Sequence, residues 1–408
     1  MFNQAIKAYE KVTPIEVIKL MKELILIPSP YFYEDDIMDF TYIWFNKIGM
    51  KAFIHEYHEA KITDFRGKNV ICEIAGDGDG DGPTICINGH MDTVNLCNGW
   101  SKDPYEGFVE DDKIYGLGAL DMKSGSCACM LAIRKFHENQ KSFNGKIIAT
   151  FVSDEEGPYG LGTNALIEEG LLEGVDFIIS TEPSAGFNNR SFPDVSLGAR
   201  GGYGLDVEFF GKAAHAAMPM TGINAAVDAG KFMCELEKID YFEGEFLGKG
   251  VACVIAVESD GGACSVPDYA KVKLFWHVVM GENEKTIESY IVEAIKKTNI
   301  KSTFKISFRD APSDGSRGYK PYTVSKQNHF VSTFLESIKD VCDREASISY
   351  FQSIGDFNHL GSRLNVPAII FGAEGENIHG ADEYATISSI VNTANIIYNF
   401  LVKVLINK

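Results

Sequence analysis

Short β-rich runs alternate with segments of helical periodicity along most of this 408-residue chain. The β-rich runs are Asn69–Ile74, Thr84–Asn88, Lys146–Ser153, Phe177–Ser180 and Ala368–Phe371. Segments with apolar residues at helical spacing lie between and around these runs. Strands that alternate with helices predict an α/β domain in which helices flank a largely parallel sheet.

The central part of the chain has a different pattern. Its predicted strands are Tyr203–Phe210, Val251–Val257, Lys271–Val279 and Phe304–Phe308, and two helical segments lie among them. This arrangement predicts an α+β domain inserted into the α/β domain. We therefore expect three parts, residues 1–196, 197–311 and 312–408, of which the first and the last form one domain.

Charge and composition exclude several classes of protein. The chain carries 57 acidic and 38 basic residues, a formal net charge of −19. Without a stretch rich in Lys and Arg it is not expected to bind nucleic acid, and its acidity disfavours anionic membranes.

No apolar run approaches the roughly 20 residues of a membrane-spanning helix, and residues 1–17 lack the apolar core of a secretory signal. Nine dispersed cysteines indicate reduced thiols, so we expect a cytoplasmic protein.

One Gly/Asp-rich segment imitates the start of a calcium-binding loop. In Asp77–Gly82 acidic residues alternate with glycines, but the twelfth position, where such a loop has Glu, is Asn88. We therefore predict a tight connection between two strands.

The first candidate site residues follow the predicted strand Thr84–Asn88. Because the side-chain period of a strand is two, His90 and Asp92 are expected on the same face. A carboxylate at this spacing can accept the free N–H of a metal-bound imidazole and fix its tautomer. A hydrogen-bonded structural histidine explains this pair equally well.

Further acidic residues stand at the ends of other elements. Asp121 precedes a predicted helix, where an ordinary N-cap would explain it. Glu155 and Glu156 follow the strand Lys146–Ser153 as adjacent residues. Neighbours in an extended segment point in opposite directions, so one of the two can bind a metal while the other faces a substrate.

Two more candidates complete a set that is more specific than any of its members. Glu182 follows the strand Phe177–Ser180, and His379 comes shortly after Ala368–Phe371. Ligand sites of open α/β sheets lie at the carboxyl ends of strands. Nitrogen and oxygen donors of this kind suit zinc, cobalt or manganese. Five ligands for two ions require one to be shared, and a carboxylate such as Asp121 can bridge them.

With these residues the chain resembles the M20 family of dinuclear zinc peptidases and amidohydrolases. That family includes carboxypeptidases, deacylases of N-acyl amino acids and succinyl-diaminopimelate desuccinylases, and the resemblance runs nearly end to end. It implies a zinc-peptidase-like catalytic domain with a mixed sheet flanked by helices. It also implies that the inserted domain is a lid through which two chains form a homodimer.

The resemblance implies a role for each candidate ligand. His90, Asp121 and Glu182 would bind one divalent ion, most often zinc. Glu156 and His379 would bind the second ion, and Asp121 would bridge the two.

The resemblance also implies three catalytic roles. Asp92 would orient His90, and Glu155 would be the general base. In the insert, Gly211–Pro219 matches the family pattern G-x-x-x-H-x-x-x-P. Its histidine, His215, would reach the active site of the partner subunit and stabilise the oxyanion there.

The chain departs from the family pattern where many members carry residues that bind the substrate. Cys264 replaces an asparagine, and His277 and Asn358 replace arginines that would hold a substrate carboxylate. The segment Cys264–Asp268 is closer to the YgeY-type branch, which is linked to selenium metabolism. The remaining candidates for a carboxylate clamp are Arg200, Arg317 and Arg363.

The resemblance favours one reaction over two alternatives. In the family, Glu at position 182 is typical of carboxypeptidases and deacylases, and Asp of several aminopeptidases. We therefore predict a metal-dependent hydrolase that cleaves an amide bond in a small N-acyl amino acid or short peptide. The alternatives are a dipeptidase or aminopeptidase of the same family, and a catalytically silent relative that binds ligands.

Overall fold

The computed structural model describes residues 11–78, 82–140, 142–157 and 159–406. Most of the segment in which no secretory signal is predicted, and the centre of the connection predicted at Asp77–Gly82, lie outside these residues. The helices are α1 (Pro14–Ile25), α2 (Asp35–Lys47), α3 (Lys123–Asn139), α4 (Leu161–Glu168), α5 (Ser184–Phe187), α6 (Ala225–Leu236), α7 (Glu284–Lys296), α8 (His329–Cys342), α9 (Asp356–Arg363) and α10 (Ile387–Leu405). Two short 3₁₀ turns cover Pro219–Thr221 and Asp314–Ser316.

The strands of the described residues form four separate sheets. They are β1 (Ala52–Glu59), β2 (Phe65–Ala75), β3 (Thr84–His90), β4 (Phe108–Glu110), β5 (Lys113–Tyr115), β6 (Lys146–Val152), β7 (Phe177–Ser180), β8 (Asp194–Ala199), β9 (Gly201–Phe210), β10 (Glu243–Gly244), β11 (Gly248–Lys249), β12 (Val251–Glu258), β13 (Tyr269–Val278), β14 (Thr303–Phe308), β15 (Tyr322–Thr323), β16 (Ser347–Phe351), β17 (Ala368–Ile370), β18 (Gly375–Glu376) and β19 (Tyr384–Thr386).

The chain divides into two compact units. The first consists of Met1–Gly198 and Thr323–Lys408, and the second is the intervening segment Ala199–Tyr322. The first unit contains the large sheet and most of the helices, and the second has its own sheet and its own hydrophobic core.

A nine-stranded mixed sheet forms the centre of the first unit. Its strand order is β1-β2-β6-β3-β7-β17-β8-β15, and β16 pairs with β8. The strands β6, β3, β7 and β17 are parallel neighbours, whereas the pairs β1–β2, β2–β6 and β17–β8 are antiparallel. The expected mixed sheet flanked by helices is therefore confirmed, and four neighbouring strands at its centre run parallel.

The parallel strands are apolar on both faces, as expected for strands covered by helices. β3, β6 and β7 are buried along nearly their whole length. The helix α3 contacts β3, and α9 contacts β7 and β17. Because parallel strands end at the same edge, the residues that follow β3, β6 and β7 are brought together there.

A second, smaller sheet of the first unit ties two distant loops together. Its order is β18-β19-β5-β4, and Tyr384 of β19 lies opposite Tyr115 of β5. The loop between β18 and β19 carries His379, and the loop after β5 carries Asp121. The sheet therefore places these two candidate site residues side by side.

The second unit is an α+β structure built on an antiparallel sheet of order β12-β13-β9-β14. Alternate residues of β13 are buried, and Trp276 is wholly enclosed. The helices α6 and α7 pack on each other and α6 contacts β13, so the apolar face of the sheet is covered.

Two further observations concern membrane-spanning segments and cysteines. Among the described residues, no helix combines the length and apolar character that a bilayer crossing requires. All nine cysteines are free thiols.

The helix α3 approaches β7 so closely that one position admits only glycine. A Cβ atom on Gly125 would lie 1.9 Å from the carbonyl oxygen of Thr181. Gly230 in α6 provides the contrast, because a Cβ atom there would have no atom within 4 Å.

We expect Gly125→Ala to lower the free energy of unfolding by about 1–3 kcal/mol, since the helix has to move away from the strand. Gly230→Ala should raise it by about 0.5–1 kcal/mol, because alanine restricts the unfolded chain and fits the helix. Urea denaturation of both variants measures the difference. Equal stability of Gly125→Ala and the parent chain would contradict this account of the contact.

Candidate active site

His90 ends β3 and is almost completely buried. Its Nδ1 donates a hydrogen bond to the backbone carbonyl of Asp92 at 3.1 Å, and the carboxylate Oδ1 of Asp92 lies 3.5 Å away. The nearer acceptor is therefore the backbone of Asp92 rather than its carboxylate. With the proton on Nδ1, the lone pair of Nε2 faces the interior of the site.

The other oxygen of the Asp92 carboxylate has a separate partner. Its Oδ2 accepts a hydrogen bond of 2.8 Å from the backbone N–H of Glu156. Asp92 therefore connects the end of β3 with the loop after β6. It restrains the position of Glu156 as well as that of His90.

Asp121 lies in the loop between β5 and α3, and its side chain does not cap the helix. The N-cap of α3 is Met122, and no side chain donates or accepts a capping hydrogen bond there. Instead, Asp121 Oδ1 lies 3.4 Å from Nε2 of His90, and its Oδ2 lies 3.3 Å from Nε2 of His379. The carboxylate thus spans the space between the two imidazoles.

Glu155 and Glu156 follow β6 and face different partners. Glu156 Oε1 lies 3.0 Å from Nε2 of His379. Glu155 Oε1 accepts a hydrogen bond of 3.1 Å from the backbone N–H of Asp356, the first residue of α9. Its Oε2 lies 3.9 Å from Nε2 of His90.

Glu182 follows β7, and His379 lies between β18 and β19. Glu182 is buried, with its Oε1 at 3.7 Å from Nε2 of His90. His379 has a positive φ of 60°, a backbone conformation that is uncommon outside glycine. The structure therefore brings together the five residues expected to bind metal, and Glu155 with them.

Two groups of donor atoms are compact enough to share an ion. The donor atoms of His90, Asp121 and Glu156 all lie within 4.8 Å of one another, and so do those of His90, Glu155 and Glu182. The second group includes Glu155, which the sequence analysis places beside the metals as a base. Glu155 thus lies within reach of the same centre as the expected ligands.

The electrostatics of the site are dominated by its carboxylates. Burial, together with the charge of Asp121, raises the pKa of Glu155 and of Glu156 to about 8. Burial and Asp121 also raise the pKa of Glu182. Hydrogen bonds with Asp121 and Glu156 raise the pKa of His379 to about 11. Each shift expresses the cost of enclosing several negative charges in one place.

These residues fit a divalent metal centre. When His90 is neutral, the lone pair of its Nε2 faces oxygen atoms of Asp121 and Glu182, which are also acceptors. Acceptors directed at one another are unfavourable unless a proton or a cation lies between them. Imidazole nitrogen and carboxylate oxygen are donors that zinc, cobalt and manganese accept.

The donor cluster lines a cleft of about 460 Å³ in the first unit. The lining also includes the apolar residues Phe187, Phe351, Ile354, Phe357 and Ile378, of which Phe351 and Phe357 are almost fully buried. The cleft can therefore hold an apolar group next to a polar, reactive centre. These residues cannot be identified from the sequence, because isolated aromatic residues give no signal that separates the lining of a cleft from a core.

Two residues of the first unit that the sequence analysis considers for a substrate carboxylate are engaged elsewhere. Asn358 is fully buried, and its Oδ1 accepts a hydrogen bond from the backbone N–H of Gly355 at 3.0 Å. The guanidinium of Arg363 donates to Asn164 and forms an ion pair with Glu168. Arg363 therefore joins α9 to α4.

The other residues named from the sequence lie in the second unit. His215 is exposed, and its Nδ1 accepts a hydrogen bond from the backbone N–H of Ala217. Burial and the nearby Arg200 lower the pKa of His277 to about 4. Cys264 is exposed, and Arg317 lines a cleft of about 430 Å³ within this unit. The roles expected for these residues remain predictions.

The fold and the site define an α/β protein with a candidate metal centre at the carboxyl edge of its sheet. The family model of peptidase family M20/M25/M40 matches residues 86–403. The chain therefore belongs to this family and is a hydrolase that acts on amide bonds.

Individual relatives cover nearly the whole chain. The chain is 26% identical to a succinyl-diaminopimelate desuccinylase from Orientia tsutsugamushi over 392 residues, 94% of this chain and 95% of the relative. Its fold matches the aminopeptidase PepT from Bacillus cereus with a TM-score of 0.76 and 20% identity, over 96% of this chain and 99% of the other.

A further solved structure concerns metal binding. The fold also matches a dinuclear metal-binding peptidase of the M20 family from Bacillus subtilis, with a TM-score of 0.65 and 16% identity. The match covers 96% of this chain and 98% of the other. At this level of identity, the likeness establishes a shared fold.

Proposed function

We propose that the chain cleaves the amide bond of a small N-acyl amino acid or short peptide, using two divalent ions and Glu155 as the general base. One observation carries this proposal. Glu155 shares a compact donor group with His90 and Glu182, and it lines the same cleft as Asp121, Glu156 and His379, together with apolar residues. Such a combination provides a base, a place for cations and a place for the substrate.

The proposed ligand sets follow the short distances in the site. His90, Asp121 and Glu182 would hold one ion, and Asp121, Glu156 and His379 the other. Zinc is the ion we expect, and cobalt or manganese would suit the same donors. Bound divalent ions supply Lewis acidity, which brings the pKa of water to about 7 and polarises a carbonyl group.

Glu155 is held in a suitable position for moving a proton. The N–H of Asp356 occupies its Oε1, so we assign Oε2 to the attacking water. Its carboxylate would take a proton from that water and then give it to the leaving nitrogen. Burial makes Glu155 a stronger base, whereas the positive charge of bound ions acts in the opposite direction.

The second unit would complete the site in a homodimer. His215 would donate a hydrogen bond to the oxyanion that forms when water attacks the carbonyl, which is often the largest contribution to catalysis. The strand β12 supports a pairing surface, because it lies at the edge of its sheet and exposes Ile255 and Val257. A cytoplasmic location agrees with the free cysteines.

The substrate class is inferred from the cleft and from position 182. Phe187, Ile354 and Ile378 are partly accessible and offer an apolar surface for the acyl or side-chain group. A protonated amine placed against this surface would lose its hydration without a partner. Together with Glu182, this favours an N-acyl amino acid over a peptide with a free amino terminus.

We expect chelator-sensitive release of amino acids from a panel of N-acyl amino acids, restored by Zn²⁺, Co²⁺ or Mn²⁺. The value of kcat/KM for the best N-acyl amino acid should exceed that for dipeptides by about tenfold or more, because their charged amine has to be desolvated. A preference for dipeptides would indicate the aminopeptidase alternative. Two bound ions without turnover of any amide would indicate a ligand-binding relative.

The variant Glu155→Gln should retain both ions and lose at least about a hundredfold in kcat, since an amide cannot take the proton. Elemental analysis and steady-state kinetics measure the two effects separately. Glu156→Gln is the matched control and should lose metal. If Glu155→Gln loses an ion, Glu155 is a ligand, as its distance to His90 allows; if it keeps normal turnover, Glu155 is not the base.

Mixed dimers test whether His215 acts across the subunit interface. Glu155→Gln and His215→Ala should each be nearly inactive, whereas their co-expressed mixture should recover about a quarter of parental activity. The reason is that half of the dimers are mixed, and one of their two sites combines an intact Glu155 with an intact His215. No recovery, or a monomer by analytical ultracentrifugation, would contradict the cross-subunit role.

A further inference from the structure

Glu383 is a buried carboxylate outside the proposed ligand set. It lies directly before β19, whose residue Tyr384 pairs with Tyr115 of β5. Only 1% of its surface is exposed. The pairing directs this side chain towards the loop that follows β5 and ends at Asp121.

The carboxylate of Glu383 accepts three backbone hydrogen bonds from that loop. Its Oε2 accepts from Gly118 at 2.9 Å, and its Oε1 accepts from Leu120 at 2.8 Å and from Asp121 at 2.9 Å. The backbone carbonyl of Glu383 accepts a further hydrogen bond from Gly116. Both carboxylate oxygens thus hold the loop in place. One of the N–H groups that they bind is that of Asp121 itself.

The loop is also attached on its other side. Lys123 is 1% exposed, and its Nζ donates to the carbonyl oxygens of Leu24 and Ile27 at the end of α1. Burial lowers the pKa of Lys123 to about 7, and the nearby Glu383 acts in the opposite direction. The buried carboxylate of Glu383 is therefore compensated by its backbone hydrogen bonds, as a buried polar group requires.

The position of Glu383 also couples the two segments that carry His379 and Asp121. His379 precedes it by a few residues in the same segment, and its Nε2 lies 3.3 Å from Oδ2 of Asp121. One end of this segment thus meets the Asp121 carboxylate, and the other end holds the Asp121 backbone. The distance between Asp121 and His379 is set by this double attachment.

We propose that Glu383 is a positioning residue that holds the Asp121 carboxylate where both proposed ions require it. The inference rests on the proposed function, because it assigns Asp121 as the bridging ligand. Partners of this kind commonly contribute ten- to a hundredfold to metal affinity. Without the three hydrogen bonds, the loop would be less ordered before a metal binds. Ordering it would then reduce the free energy of metal binding.

The neighbouring residue Asp382 provides a matched control. Its carboxylate accepts hydrogen bonds from the backbone N–H groups of Ser101 and Lys102 and from the hydroxyl of Ser101. It therefore joins the same segment to a different loop by the same kind of contact. The segment Ser101–Lys102 contains no proposed ligand.

The test compares Glu383→Gln with Asp382→Asn in the full chain. Glu383→Gln keeps the size of the side chain but replaces one acceptor oxygen by an amide NH₂, which cannot accept a hydrogen bond from a backbone N–H. We expect its affinity for Zn²⁺ and for Co²⁺, measured by competition with a chelator, to fall by about ten- to a hundredfold. The Co²⁺ absorption spectrum should change, because the ligand geometry changes. Asp382→Asn should bind both metals like the parent chain.

The melting temperature of each metal-free variant separates positioning from general stability. Parental metal affinity in a folded Glu383→Gln would overturn the inference, as would an equal loss of affinity in Asp382→Asn. If Glu383→Gln does not fold, Glu383→Asp gives the same measurement, since it keeps the charge but is too short to reach all three N–H groups. A parent chain that binds neither metal would overturn the proposed function and this inference together, whereas normal binding in all variants overturns this inference alone.

Discussion

The site depends on the negative charge that the fold encloses at one edge of its sheet. Asp121, Glu155, Glu156 and Glu182 meet there, and three of them have pKa values raised by burial. Removing a carboxylate from water costs several kcal/mol unless a positive charge compensates it. Bound cations would supply this compensation, so metal binding would stabilise the folded structure of the site.

The scaffold resists the repulsion among these charges through close packing and backbone hydrogen bonds. The approach of α3 to β7 at Gly125 leaves no room for a methyl group beside Thr181, the residue before Glu182. The backbone of the Asp121 loop is held by Glu383 on one side. Ligands fixed in this way do not have to be ordered when a metal binds, which favours affinity.

The sequence predicts much of the architecture and less of the local geometry. Apolar runs identify the central strands, because both of their faces are buried. The strand β1 is missed because its buried positions include the polar residues His55 and Glu59, which interrupt the apolar pattern. Near His90, the spacing predicts a carboxylate partner for Nδ1, but the structure has the backbone carbonyl of Asp92 closer. A backbone acceptor leaves no mark in a sequence.

The segment where the family resemblance places an arginine contacts Glu155, the proposed base. Asn358 is buried and holds Gly355, and the next N–H along the chain, that of Asp356, donates to Glu155. An arginine in that position would add a positive charge near Glu155 and weaken it as a base. Asparagine supplies the turn without the charge. Asn358 and Glu155 are thus held by backbone N–H groups of two adjacent residues, Gly355 and Asp356.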